Sequence, residues 1–401
     1  MRKFLCSAFL LIGAMTSRAA DDTACVAAPT RSCVLAMAVE AIKIVKTADP
    51  KADIQRNTFV AQTWDAIINT AARDGQIDLA LTLASTVDKS IQPVYIGDLA
   101  VAMQLAGRQE ELARLTAPDN GIYNFRIGSA FVANGRASDF DKFVKPLKYS
   151  PYEIAAMEMA GSLMAGKADH ALKVLDGFKG QDQANAVSQT LNILRLELRM
   201  DASAPLLPFR DLKTLDGVAD CGAIATGAKD KSLAEQCFVA LSLLPVDPQK
   251  DNWFLSGTVT SEVVGALAAA GDWKEAQKLT AGLRGDYVKI SFAKIARYSR
   301  APEILPAVRK YLTRDSQGFP RVERGQYLVR MLVMAGQRSE ASEFVAAATD
   351  AATRDAWSLW QAEALAETGE TAEAFKVALE IADPASRARA LNTVSEALPA
   401  K

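Results

Sequence analysis

Few side chains in this sequence have a type and spacing that chemistry could use. His170 is the only histidine among 401 residues. One imidazole excludes H-E-x-x-H zinc sites, histidine-rich metal clusters and any mechanism built on two histidines. A Ser-His-Asp triad would have to run through it. Yet Ala168-Asp169-His170-Ala171-Leu172 puts it on a helix just past a turn, where a solvated surface imidazole is expected. There is no G-x-S-x-G elbow and no dinucleotide fingerprint. Gly161-Ser162-Leu163-Met164-Ala165-Gly166-Lys167-Ala168 resembles a G-x-x-x-x-G-K phosphate loop, but alanine stands where the Mg²⁺-holding hydroxyl belongs. The run before it reads as an apolar helix rather than a strand, so Gly166 reads as a helical turn. Carboxylates are spread over helix faces, and no pair stands apart as an acid/base couple. No catalytic, cofactor-binding or metal-ligating residue is therefore assigned, and no cofactor is expected.

The cysteines do carry a reading. Four remain beyond the first residues of the chain: Cys25, Cys33, Cys221 and Cys237. With no C-x₂-C pair and one histidine, a metal site is disfavoured, and two disulfides are expected of an exported protein. Three connectivities are open, and proximity along the chain favours Cys25–Cys33 and Cys221–Cys237. Export is read from the N-terminus itself. Arg2 and Lys3 form a basic n-region, Phe4 to Met15 a short apolar core, and Ser17-Arg18-Ala19 a cleavage site before Ala20. Residues 1–19 are thus expected to be a signal peptide that takes Cys6 with it, and the destination is periplasmic or secreted. Losing Arg2, Lys3 and Arg18 leaves a net charge of −4, from 43 Lys+Arg against 47 Asp+Glu. Such a balance gives no footprint for nucleic acid or an anionic membrane, and no later stretch is long enough to span a bilayer.

The elements that must position these residues announce themselves by repetition. Glycines close runs of small and apolar residues at Gly75, Gly107, Gly135, Gly166, Gly227, Gly271, Gly336 and Gly369. Their spacings are 32, 28, 31, 61, 44, 65 and 33 residues. The two longest gaps are about two periods each and hold glycine-less turns near Met200-Asp201 and Ser299-Arg300-Ala301. Alanine stands five residues after the glycine at Ala80, Ala171, Ala276, Ala341 and Ala374, with Leu112 and Phe140 in that place twice more. A glycine ends one helix, and a small residue lets the next helix approach it closely. One hairpin cannot bury both faces, so neighbours must stack. Hydrophobic content of 50% with 23% charged residues supports such a core and excludes a disordered chain.

These residues resemble the tetratricopeptide repeat family. Gly271-Asp272-Trp273-Lys274-Glu275-Ala276 is similar to that family's Gly-Asp-Tyr-x-x-Ala turn, and the other repeats match mainly at the glycine and alanine. The likeness runs over roughly Ile54 to Leu398 and is degenerate, with Ile68, Met159, Val264 and Val329 where the family has a small residue. It implies an all-α, right-handed α-solenoid of about ten antiparallel helical hairpins. Proline-bearing interruptions at 201–217 and 244–252 suggest two arrays, 20–204 and 205–401, and one continuous solenoid fits the composition equally.

The resemblance also implies that the first helix of each hairpin lines any groove. Gln62, Asp65, Asn69 and Arg73 form a polar stripe before Gly75, and Glu323, Gln326 and Arg330 form another before Gly336. The functional expectation is a non-enzymatic scaffold or adaptor that binds a protein or peptide partner. The alternative is an exported all-α lyase or hydrolase that acts on glycan through paired carboxylates.

Overall fold

The structure is a computed structural model that describes residues 24–46, 54–87, 97–115, 121–244, 253–283, 286–306, 309 and 321–400. The expected signal peptide with Cys6 and the proline-bearing run 245–252 lie outside the described residues. Every regular element is helical, with no strand among the described residues. No helix among them is long and apolar enough to cross a membrane.

The chain divides into two compact units, residues 1–102 with 339–401, and residues 103–338. In chain order the helices are α1 (Arg31–Lys43), α2 (Ile54–Arg73), α3 (Ile77–Thr86), α4 (Gly97–Leu105), α5 (Gln109–Leu115), α6 (Gly121–Ala133) and α7 (Ala137–Val144). Then come α8 (Pro151–Met164), α9 (Ala168–Leu175), α10 (Gly180–Leu196), α11 (Leu215–Ala228), α12 (Lys231–Leu243) and α13 (Trp253–Ala269). The last seven are α14 (Trp273–Ala281), α15 (Asp286–Tyr298), α16 (Arg321–Met334), α17 (Arg338–Ala346), α18 (Ala351–Glu367), α19 (Thr371–Glu380) and α20 (Pro384–Ala397).

Seven of the turn glycines have φ between 70° and 86°. Gly166 shows the mechanism. Its N–H donates to the Leu163 carbonyl at 3.0 Å, and the Lys167 N–H reaches back to Ser162 at 2.8 Å. This pairing satisfies the last carbonyls of α8 and needs a left-handed residue, which costs an L-amino acid about 1–2 kcal/mol. The alanines five residues on (Ala80, Ala171, Ala276, Ala341 and Ala374) have no exposed surface at all.

Gly227 departs from the pattern. It lies inside α11, where a Cβ would stand 2.5 Å from the Met200 carbonyl carbon, so close packing requires the glycine there. The turn comes two residues later at Lys229, with φ 52°, and Asp230 caps α12 by accepting from the Leu233 N–H. The turn expected near Met200-Asp201 sits at Leu198, a leucine with φ 55°. The proline segment expected to interrupt the array follows it. It forms two 3₁₀ turns, Met200–Ala202 and Ala204–Phe209, packed on α11 with Leu206 and Leu207 buried. The boundary expected at 204/205 therefore falls inside the second unit.

The first unit joins the two ends of the chain. α1 packs along α20, and α20 also packs on α2, α18 and α19. Val34, Leu35, Ala38, Val39 and Ile42 of α1 are buried, as are Leu391 and Val394 of α20. Each such Leu, Ile or Val contributes about 1.5–3 kcal/mol by leaving water. Polar groups fix the register. Arg56 holds the Asp383 carboxylate with two hydrogen bonds of 3.0 and 2.5 Å, and Arg31 holds Asp74 at 2.8 and 2.5 Å. The hydrogen bond to Asp74 outweighs burial and raises the Arg31 pKa further above neutrality. Buried Asp355 accepts from the N–H groups of Ala382 and Asp383, at 3.1 and 2.7 Å, and so sets the start of α20.

The second unit is built from chain neighbours. α6 packs on α8 and α8 on α10, while α11 packs on α13, α13 on α15 and α15 on α16. α8 approaches α6 closely through Gly161, where a Cβ would lie 2.4 Å from the Ser129 carbonyl oxygen.

Candidate functional site

Two successive hairpins of the second unit, α6–α7 and α8–α9, enclose an open cavity of about 720 Å³. Its walls are the turns themselves. Val132, Gly135, Ala137, Phe140 and Asp141 come from the first hairpin, and Glu158, Ser162 and Gly166 to His170 from the second. The local chemistry that makes the turns also holds the walls. Arg136 lies over the Phe131 ring at 5.0 Å, donates to Asp139 at 2.6 Å and reaches the Leu105 carbonyl at 2.6 Å. Phe140, one of the positions five residues after a turn glycine, forms part of the apolar floor.

His170 stands in this cavity, half exposed, with Nε2 2.9 Å from Glu158 Oε1. Ser162 lines the same space but is buried, and no hydrogen bond joins it to His170 among the described residues. A serine–histidine nucleophile is thus not assembled. Asp141, Glu158 and Asp169 set three carboxylates against Lys167 and His170. Among the described residues, no group of three His, Cys, Asp or Glu side chains is placed to hold a metal ion. What the arrangement offers is an open concave surface with an apolar floor and charged walls. His170 was visible in the sequence as the lone imidazole, but its alignment with Asp141 and Glu158 depends on packing between hairpins.

The polar stripe before Gly75 makes hydrogen bonds and ion pairs within the first unit, with Arg73 exposed. Asn69 donates to Asp65 at 2.6 Å and accepts from the Asp98 N–H at 3.1 Å. Arg73 pairs with Asp98 at 2.9 Å and with Glu396, whose carboxylate also accepts from Thr70 at 2.7 Å. Gln62 is exposed, and its carbonyl accepts from Arg389 at 3.4 Å. In the second stripe Arg330 is buried and Gln326 half-buried, while the Glu323 side chain lies outside the described residues.

The cysteines pair as proximity suggested. Cys25–Cys33 joins the helical turn at 24–27 to the start of α1, with Cα atoms 5.9 Å apart. Cys221–Cys237 crosses from α11 to α12, with Cα atoms 5.6 Å apart and both cysteines fully buried.

No family model matches the chain. No curated protein matches it either. Among solved structures, it is similar to one described as the crystal structure of Ton1535 from Thermococcus onnurineus NA1, at 14% identity over 82% of this chain and 97% of that one. The TM-score of that superposition is 0.25, too low to carry a likeness of fold.

Proposed function

We propose that this chain is an exported helical-repeat scaffold, a right-handed solenoid of the tetratricopeptide type, that binds an extended segment of a partner protein without catalysis. One observation carries the reading: the cavity between α6–α7 and α8–α9, whose walls come from two successive glycine turns. In a repeat array such a surface recurs along the stack and fits a chain laid across it. The carboxylates of Asp141, Glu158 and Asp169 favour a segment carrying a basic side chain, and Val132 with Phe140 offers it an apolar seat. Two disulfides support maturation in an oxidising compartment, in keeping with the basic n-region and apolar core of the leader.

A photo-crosslinking residue at Ala168, in exported full-length protein, tests this against the same residue at exposed Lys231. Discrete adducts from position 168 that vanish in an Asp141→Lys, Glu158→Lys variant support the reading. Equal adducts from both positions, or adducts indifferent to charge reversal, overturn it.

A further inference from the structure

α1 is apolar on two faces. Val34, Leu35, Ala38, Val39 and Ile42 enter the core of the first unit, but Ala36, Met37, Ala41 and Ile44 point the other way, and Ile44 is 74% exposed. A surface helix ordinarily turns charged groups outward. Here the second face instead floors an open groove of about 990 Å³, closed at one end by the Cys25–Cys33 turn and flanked by Leu379 of α19 and Leu391 of α20.

One cation enters this groove. Arg387 donates through Nε to the Ile381 carbonyl at 2.7 Å, and among the described residues no carboxylate lies within ion-pair reach of it. Arg31, Arg56, Arg73 and Arg389 of the same unit each hold a carboxylate, whereas Arg354, like Arg387, bonds a backbone carbonyl. The other polar groups of the lining are already engaged: Glu40 pairs with Lys43 at 3.1 Å, and the Thr30 and Ser32 hydroxyls meet at 3.4 Å. A largely apolar concavity with a single oriented polar group is the usual form of a small-molecule site.

We propose that the groove binds a long-chain monocarboxylate, its alkyl chain along α1 and its carboxylate on the free edge of the Arg387 guanidinium. The planar fork of arginine matches one carboxylate. A single cation with Glu40 on the same wall suits a singly charged head better than a phosphate. The alanines of the floor make a smooth channel for an alkyl chain and lack the deep holes that side chains of a docked helix require.

Titration of mature, delipidated full-length protein with hexadecanoate tests this, with hexadecanol and hexadecyltrimethylammonium as comparison probes. Saturable binding at one site is expected, with the alcohol and the cation at least about tenfold weaker. Arg387→Leu should weaken hexadecanoate binding about tenfold or more. Because Arg387 also holds the Ile381 carbonyl, Ala36→Trp gives a second test: it fills the groove from an exposed position outside the core, and should abolish binding while leaving the circular dichroism unchanged. Equal affinity for all three probes, or binding untouched by both variants, overturns the proposal. So does concentration-dependent dimerisation that Ala36→Trp abolishes, which would assign the face to a second copy of the chain.

Discussion

In the first unit Arg56 grips Asp383, 327 residues away along the chain, and α1 buries its core face against α20. In the second unit the packing partners are near neighbours along the chain, one or two helices apart. Both units use the same hairpin grammar, with glycine at the turn and alanine five residues later. The difference lies in what completes each core: the second unit is finished locally, the first only when both ends of the chain have been made. Closing contacts over long separations costs chain entropy before any contact stabilises the fold. The first unit is therefore expected to fold late and to be the more sensitive to damage at either terminus.

Deleting residues 383–401 tests that contrast most severely. It strips the cover from Val34, Leu35, Val39 and Ile42 and leaves Arg56 and Arg73 without Asp383 and Glu396. Hydrogen exchange of the shortened protein should show α1, α2 and α18 unprotected, with α8 and α11 as slow as before. Uniform loss across both units would show that they do not complete themselves separately.

Removing the disulfide of the second unit should have the next largest effect. Cys221–Cys237 spans 16 residues and Cys25–Cys33 spans 8, so loop-closure entropy alone gives about 3 and about 2.5 kcal/mol. The buried pair should fall further below wild type than this difference, because replacing both of its cysteines by alanine also leaves a void between α11 and α12. Chemical denaturation of the two double variants measures the order. If the Cys25–Cys33 variant proves the weaker one, the end-joining unit leans on its disulfide more than its packing implies.

Asp383→Asn probes the seam between the chain ends more gently. Asparagine keeps the N-cap of α20, so the loss isolates the ion pair, about 0.5–1 kcal/mol at neutral pH for a pair this exposed. Burial alone would raise the Asp383 pKa, but the hydrogen bonds from Arg56 and Ser386 outweigh it and hold the carboxyl below its ordinary value. A depressed carboxyl stabilises the fold above its unfolded pKa and ceases to as pH falls through the folded one. The gap between wild type and variant should thus be constant above about pH 5 and close below about pH 4. A gap that persists in acid would mean that the variant loses packing rather than charge.

How much of this was legible in the sequence follows from the same contrast. The glycine turns and buried alanines are local: a left-handed residue and a small one five positions later leave a mark in any single hairpin. Cys221 and Cys237 likewise lie on the arms of one hairpin, so proximity along the chain identified their pairing. The union of α1 with α20 left no such mark, since nothing near Arg56 or Arg73 points to Asp383 or Glu396. The partners that Asn69 and Arg73 find on α4 and α20 left no mark in the spacing of the stripe itself. Gly227 misled for the opposite reason. A glycine needed for close approach to Met200 reads the same in sequence as one needed for a turn. The candidate site was visible only in part, because His170, Glu158 and Asp141 come from two hairpins whose spacing is set by contacts such as Gly161 against Ser129.

The smallest expected effect is also a gain. Leu198 holds the place that glycine holds at Gly166, with the same two hydrogen bonds: its own N–H to Arg195 at 3.1 Å and that of Arg199 to Leu194 at 2.8 Å. Its side chain is 83% exposed, so almost no packing offsets the left-handed strain. Leu198→Gly removes that strain but frees the unfolded chain, two terms of opposite sign. Relief of about 1–2 kcal/mol against a backbone-entropy cost of about 0.5–1 kcal/mol leaves a net stabilisation of about 0.5–1 kcal/mol. The reverse change at an equivalent turn, Gly166→Leu, should cost about 1 kcal/mol, because no Cβ clash adds to the strain there. Paired denaturation of these two variants measures the turn grammar itself. If Leu198→Gly destabilises the protein, the exposed leucine is held by contacts beyond the turn, and the glycine rule would not extend to a turn that dispenses with glycine.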